Sequence, residues 1–78
     1  MNISEILRYS PRVGDIIMHK DGSYHIIKSE LRKGSMTVNA MHHINGSDPV
    51  EVQLNVPKTR SDMIQGTHFL VRKNNEDR

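Results

Sequence analysis

The chain has 78 residues, a mass of 9.0 kDa and a formal net charge of +2, from eleven Lys and Arg against nine Asp and Glu. A chain of this length forms one small domain, which we place at residues 1–73, with residues 74–78 as a disordered polar tail. Hydrophobic residues make up 35% and charged residues 26%, which is typical of a globular domain and excludes a wholly disordered chain.

Several classes of protein are excluded by what the sequence lacks. Without cysteine there can be no disulfide, thiolate nucleophile, iron–sulfur cluster or cysteine-ligated zinc. No apolar run approaches the length of a membrane span, and the N-terminal residues have no secretory signal pattern. We therefore expect a cytoplasmic protein.

A short helix is predicted at the N-terminus, at residues 3–10. Its apolar stripe comprises Ile3, Ile6 and Leu7. Asn2 and Glu5 have the spacing of a capping box, and Pro11 ends the helix because the residue before a proline avoids the helical conformation. A helix of about two turns is too short to be stable alone, so it must pack against a sheet.

The dipeptide Asp21-Gly22 lies between two apolar runs and predicts a β-hairpin with a two-residue turn. Such a turn pairs His19 with Tyr24 and Met18 with His25. One face of the hairpin would then carry Ile16, Met18, His25 and Ile27. The other would carry Ile17, His19, Tyr24 and Ile26. Both faces are apolar, so we expect both to be covered.

Alternating apolar residues predict three more strands. The predicted elements are a turn at 33–34, strands at 36–44 and 50–56, a loop at 45–49, a single helical turn ending at Gly66 and a last strand at 67–73. Thr59 or Ser61 can cap the helical turn. Met36, Val38, Ala40, His42 and Ile44 would point to one side of the first of these strands.

This order of elements resembles the SH3-like small barrels, such as the Tudor, KOW and Sm modules. The residues that carry the resemblance are Val13-Gly14-Asp15-Ile16-Ile17, Asp21-Gly22-Ser23-Tyr24 and Ser61-Asp62-Met63-Ile64. The resemblance covers residues 12–73 and implies a mainly β fold, a five-stranded SH3-like barrel with a short N-terminal helix. An OB-like barrel and an open antiparallel sheet packed by the helix are the alternatives. A Tudor-type aromatic cage is not expected, because the chain has only three aromatic residues.

The pattern of reactive residues predicts neither an enzyme nor a cofactor or metal site. The expected hairpin register places His19 and His25 on opposite faces, and His42 and His43 diverge because they are neighbours on a strand. There is no nucleophile elbow around a serine and no glycine-rich phosphate loop. A non-catalytic binding module is the remaining class.

One hypothesis for this module is nucleic-acid or nucleoprotein binding through a basic rim. The candidate residues are Arg32, Lys33, Lys58, Arg60, Arg72 and Lys73, with Tyr24 as a stacking platform. Asn39, Gln53 and Asn55 could add contacts to bases or sugars.

The other hypothesis is a protein-binding adapter or inhibitor, of the kind found in phages and mobile elements. Its docking surface would be the hairpin face of Ile16, Met18, His25 and Ile27, or the opposite face. Four methionines favour an adaptable contact surface, and a homo-oligomer is compatible with it.

Overall fold

Five antiparallel strands and two helices make up residues 2–72, the part of the chain that the computed structural model describes. The elements are α1 (Ile3–Leu7), β1 (Ile16–His19), β2 (Tyr24–Ile27), β3 (Thr37–His43), β4 (Val50–Asn55), α2 (Val56–Gln65) and β5 (His68–Val71). Neither helix is long and apolar enough to cross a membrane. The predictions for Lys73 and for residues 74–78 lie outside the described residues.

The strands form one sheet in the order β4-β3-β2-β1-β5. The predicted mainly β fold, with five strands and a short N-terminal helix, is confirmed. The sheet is not closed into a barrel: within the described residues, β4 and β5 are its two edges. Helix α2 connects these edge strands and contacts both of them. This arrangement is the open, helix-packed sheet that was one of the alternatives.

The predicted register of the β1–β2 hairpin is wrong. The His19 N–H donates to the Ser23 carbonyl at 2.8 Å, and the Gly22 N–H donates to the His19 carbonyl at 3.0 Å. The loop therefore has three residues rather than two, and Gly22 has a φ of +94°, as in a type I turn followed by a glycine bulge. Ile17 consequently pairs with His25, not with Ile26. One extra residue in the loop moves every side chain of one strand to the other face.

One face of the sheet, the core face, packs against α2. The core cluster is Ile6, Tyr9, Ile17, Ile27, Val38, Ala40, Val56 and Met63, in which Ile6 comes from α1 and Met63 from α2. Val52, Leu54 and Leu70 extend it to the edge strands. Both helices therefore cover the same face, and the predicted second covering layer is not found among the described residues.

The helix ends follow ordinary capping chemistry. Asn2 and Glu5 form the predicted capping box, each side chain accepting the other's backbone N–H. Helix α2 is longer than the predicted single turn and begins earlier in the chain, where the Asn55 side chain caps it by accepting from the Lys58 N–H. Pro57 is tolerated in the first turn because a backbone N–H at that position would have no partner within the helix. Gly66 ends α2 in the left-handed conformation, as predicted.

A buried carboxylate ties the N-terminal segment to the end of β5. Asp15 is 2% exposed and accepts from the Tyr9 hydroxyl at 2.9 Å, from the Arg12 N–H and from the Arg72 guanidinium. Arg60 of α2 donates twice to the Tyr9 carbonyl. Burial and the bond to Asp15 raise the pKa of Tyr9 well above its ordinary value. These bonds satisfy the buried charge and fix α1 and α2 to the same end of the sheet.

Replacing Gly22 by alanine tests the turn that sets the register. We expect Gly22→Ala to lower the free energy of unfolding by about 1 to 2 kcal/mol, because a side chain at positive φ is strained even though no neighbouring atom obstructs the new Cβ. Urea unfolding followed by circular dichroism measures this loss. The control, Lys20→Ala in the same loop, should change the free energy of unfolding by only a few tenths of a kcal/mol. Equal effects of the two substitutions would contradict the turn.

Candidate functional site

Four histidines lie next to one another in two neighbouring rows on the core face, at the end opposite the Asp15 network. We call His19, His25, His42 and His68 the histidine cluster; they come from β1, β2, β3 and β5. His25 pairs directly with His42 across the strands, and His19 pairs with His68. The ring centroids are 4.1 Å apart for His25 and His42 and 4.0 Å apart for His19 and His68. The sheet thus brings together residues that the predicted register had separated.

The first three members of the cluster converge through their nitrogen atoms. The Nε2 atom of His19 lies 2.8 Å from the Nδ1 atom of His25, a hydrogen bond in which one ring donates and the other accepts. The Nε2 atom of His42 is buried without a hydrogen-bond partner among the described residues. One ligand atom from each of these three rings lies within 4.8 Å of the other two.

His68 is held differently from the other three. Its Nδ1 atom lies 2.8 Å from the Thr67 hydroxyl, and its Nε2 atom lies 3.8 Å from a carboxylate oxygen of Asp62 on α2. Asp62 also accepts from the Lys58 side chain. Asp62, the nearest carboxylate to the histidine cluster, therefore lies at the edge of the cluster and is already paired with Lys58.

Burial and repulsion from neighbouring histidines lower the pKa of two members of the cluster, His25 and His19. His25 is 7% exposed, and burial, followed by repulsion from His42, His19 and His68, lowers its pKa to about 4. Burial and repulsion from His68 and His42 also lower the pKa of His19. Neutral imidazoles are the form in which histidine binds metal ions, so the lowered pKa values of His19 and His25 favour metal binding at neutral pH.

Sequence reasoning missed the cluster because it assumed the wrong hairpin loop. A signal for the longer loop was available at Asp21, whose carboxylate accepts both the N–H and the hydroxyl of Ser23. Bonds of this kind from an Asp to the backbone two residues later favour a turn with the Asp inside it. The expected divergence of His42 from His43 is correct, because His43 lies on the other face and stacks on Tyr24 at 4.7 Å.

The face opposite the helices, which we call the open face, is polar over β4 and most of β3, where it carries Thr37, Asn39, Glu51, Gln53 and Asn55. Over β1, β2, β5 and the end of β3 it carries eight apolar or aromatic residues, Ile16, Met18, Tyr24, Ile26, Met41, His43, Phe69 and Val71. All eight are half-buried or exposed, and Phe69 and Val71 retain 49% and 46% of their accessible surface. Among the predicted partner-binding residues, Ile16 and Met18 lie here. His25 and Ile27 lie on the core face, because of the corrected register.

The predicted basic residues lie at one end of the sheet. Arg32 and Lys33 are exposed in the loop that follows β2, Lys58 and Arg60 are in α2 directly after β4, and Arg72 follows β5. Tyr24 lies apart from them, at the start of β2. The predicted stacking platform and the basic residues therefore do not form one continuous surface within residues 2–72.

Three of these basic side chains are engaged within the domain. Lys58 pairs with Asp62 at 3.2 Å, Arg60 donates to the Tyr9 carbonyl, and Arg72 pairs with Asp15 at 3.1 Å. Arg60 and Arg72 thus stabilise the fold. Reversing their charge would perturb the Asp15 network as well as any surface for phosphates.

Comparison with protein-family models, with curated proteins and with solved structures gave no match.

The titration of His25 predicts how stability depends on pH in the metal-free chain. Because folding lowers this pKa from 6.5 to about 4, its contribution is complete above about pH 6.5 and is lost as the pH falls toward 4. We expect the free energy of unfolding to fall by an amount on the order of 3 kcal/mol over this pH range. Urea unfolding at these pH values, in buffer with a chelator, measures the loss. His19 titrates in the same direction.

Two variants identify the source of this pH dependence. His25→Asn should flatten the decline, and His43→Asn on the open face should leave it unchanged. A wild-type chain and a His25→Asn chain that lose stability in parallel would contradict the assignment to His25.

Proposed function

We propose that this chain is a non-catalytic protein-binding module and that its partner docks on the open face. The observation that carries the proposal is a contiguous set of eight apolar and aromatic side chains across β1, β2, β5 and the end of β3, on the face of the sheet opposite both helices. An antiparallel sheet with one solvated face ordinarily alternates apolar and polar residues, with the polar ones toward water. A contiguous apolar surface of this kind is typical of an interaction site.

The apolar part of the open face has the composition of an interface core. Aromatic residues and methionine are enriched in such cores, and charged residues are depleted. Phe69, Met18, Tyr24 and His43 form one row across the strands, and Val71, Ile16, Ile26 and Met41 form the next. Glu51 is at the edge of the second row, opposite Met41. The partner is therefore a protein with a largely apolar surface.

The electrostatics favour a protein over a nucleic acid as the partner. A nucleic-acid surface needs cations that are free to neutralise phosphates, and the apolar rows supply none. The exposed pair at Arg32 and Lys33 lies beyond the end of β2, away from Tyr24. Nucleic-acid binding by the basic rim stays a prediction, and the experiment below includes it as an outcome.

Two substitutions on the open face test the proposal. We expect Met18→Asp and Val71→Lys to weaken partner binding by at least about tenfold, because each places a charge within an apolar interface. Leu7→Lys is the matched control: Leu7 is 59% exposed on α1, away from the open face, and its replacement should leave binding unchanged. Circular dichroism melts establish that each variant is folded.

The measurement begins with affinity capture and ends with a purified partner. Titration calorimetry of that partner with the wild type and the three variants gives the change in affinity, and backbone chemical-shift changes map the surface. Shifts confined to the open face support the proposal. Binding that the open-face variants leave intact contradicts it, as does sedimentation showing that the open face binds only a second copy of this chain.

The nucleic-acid alternative is measured in parallel. Fluorescence anisotropy with single-stranded RNA and duplex DNA, at about 50 and about 200 mM salt, reports phosphate contacts through their salt dependence. Saturable binding that Arg32→Glu with Lys33→Glu abolishes and Met18→Asp spares would overturn the protein-binding proposal. Flat titrations would exclude the basic rim.

A further inference from the structure

Adjacent strands β1, β2 and β3 each contribute one imidazole to the same point on the core face. The ligand atoms of His19, His25 and His42 all lie within 4.8 Å of one another. Zinc binds histidine nitrogen at about 2.0–2.1 Å, so the donors of a tetrahedral site are roughly 3.3 Å apart. The Nε2–Nδ1 contact of His19 and His25, at 2.8 Å, would open by about 0.5 Å. The ring of His42, which is stacked on that of His25 at an interplanar angle of 11°, would turn to direct a nitrogen at the same ion. An ion would there replace the proton that the two rings share.

A second observation points to a missing ligand at the same place. The Nε2 atom of His42 is buried and has no hydrogen-bond partner among the described residues. Buried polar atoms in folded proteins nearly always have a partner, and leaving one unpaired is costly. The ring of His42 lies 4.1 Å from that of His25 and 5.5 Å from that of His19. A cation bound by all three rings would supply the absent partner.

The chemistry of the donors selects the class of ion. All three are imidazoles, which suit zinc, copper and nickel, whereas calcium and magnesium need oxygen ligands. His19 and His42 are partly exposed, which leaves a path for an ion from solvent. His68 packs against His19, but its two nitrogens face Thr67 and Asp62, so it flanks the site.

We propose that His19, His25 and His42 form a binding site for a divalent transition-metal ion, with Zn²⁺ as the reference ion. The site lies on the core face, so it is separate from the docking surface and is tested by different variants. A bound ion would link three neighbouring strands. Because the ion binds the folded chain, it would also raise the unfolding temperature.

Titration of the untagged chain with Zn²⁺ tests the proposal. We expect binding of about one ion per chain, measured by calorimetry and by competition with a chromophoric chelator at neutral pH, together with a rise in the unfolding temperature on the order of 5 °C. His42→Asn should weaken binding by at least about 100-fold, because it removes one of three ligands. His43→Asn changes the adjacent histidine on the open face and should bind Zn²⁺ as the wild type does.

The variants and a spectroscopic readout keep the result decisive. His42 is only partly buried, so His42→Asn is expected to fold, and a circular dichroism melt in chelator checks this. His19→Asn provides a second variant with the same expected loss. Co²⁺ substitution should give the absorption of a low-coordinate, nitrogen-ligated site. Absence of saturable Zn²⁺ binding, or equal affinity in wild type and His42→Asn, would overturn the proposal.

Discussion

The three-residue loop at Lys20, Asp21 and Gly22 is the constraint on which the rest of the sheet depends. Its geometry requires a positive φ at Gly22 and is held by the bonds from Ser23 to the Asp21 carboxylate. The loop pairs Ile17 with His25, and this pairing decides which side chains face α2. A register that differs by one residue would bury Tyr24 and expose His25. The composition of both faces therefore follows from one turn.

Both candidate sites follow from the pairing of Ile17 with His25. On the core face, the register places His19 beside His25 and next to His42, beyond the apolar part of the core. On the open face, it joins Met18 and Tyr24 to Phe69 of β5. The Asp15 network stabilises the opposite end of the sheet, where Arg60 donates to the Tyr9 carbonyl and Arg72 pairs with Asp15. These two cations, which look available in the sequence, are thereby engaged within the domain.

Local patterns in the sequence predict most of the elements but not how they assemble. The capping box at Asn2 and Glu5 and the left-handed end of α2 at Gly66 depend on neighbouring residues alone, and both predictions are confirmed. The inward positions Val52 and Leu54 follow from alternation. The predicted strand at 50–56 is one residue too long, because Val56 begins α2, and a proline two residues after Asn55 is a helix-start signal. Helix α2 is therefore longer than predicted, and it connects β4 and β5, the two edge strands of an open sheet.

The histidine cluster could not be predicted because its residues come from four strands and depend on long-range pairing. Asp-Gly is compatible with loops of two or three residues, and both registers give two apolar faces, so hydrophobic alternation does not distinguish them. The direct measurement is the set of nuclear Overhauser contacts of the His19 ring. We expect contacts to the His25 and His68 rings, whose centroids lie 4.7 and 4.0 Å away. Contacts from His19 to Tyr24 in their place would contradict the register, and with it both proposed sites.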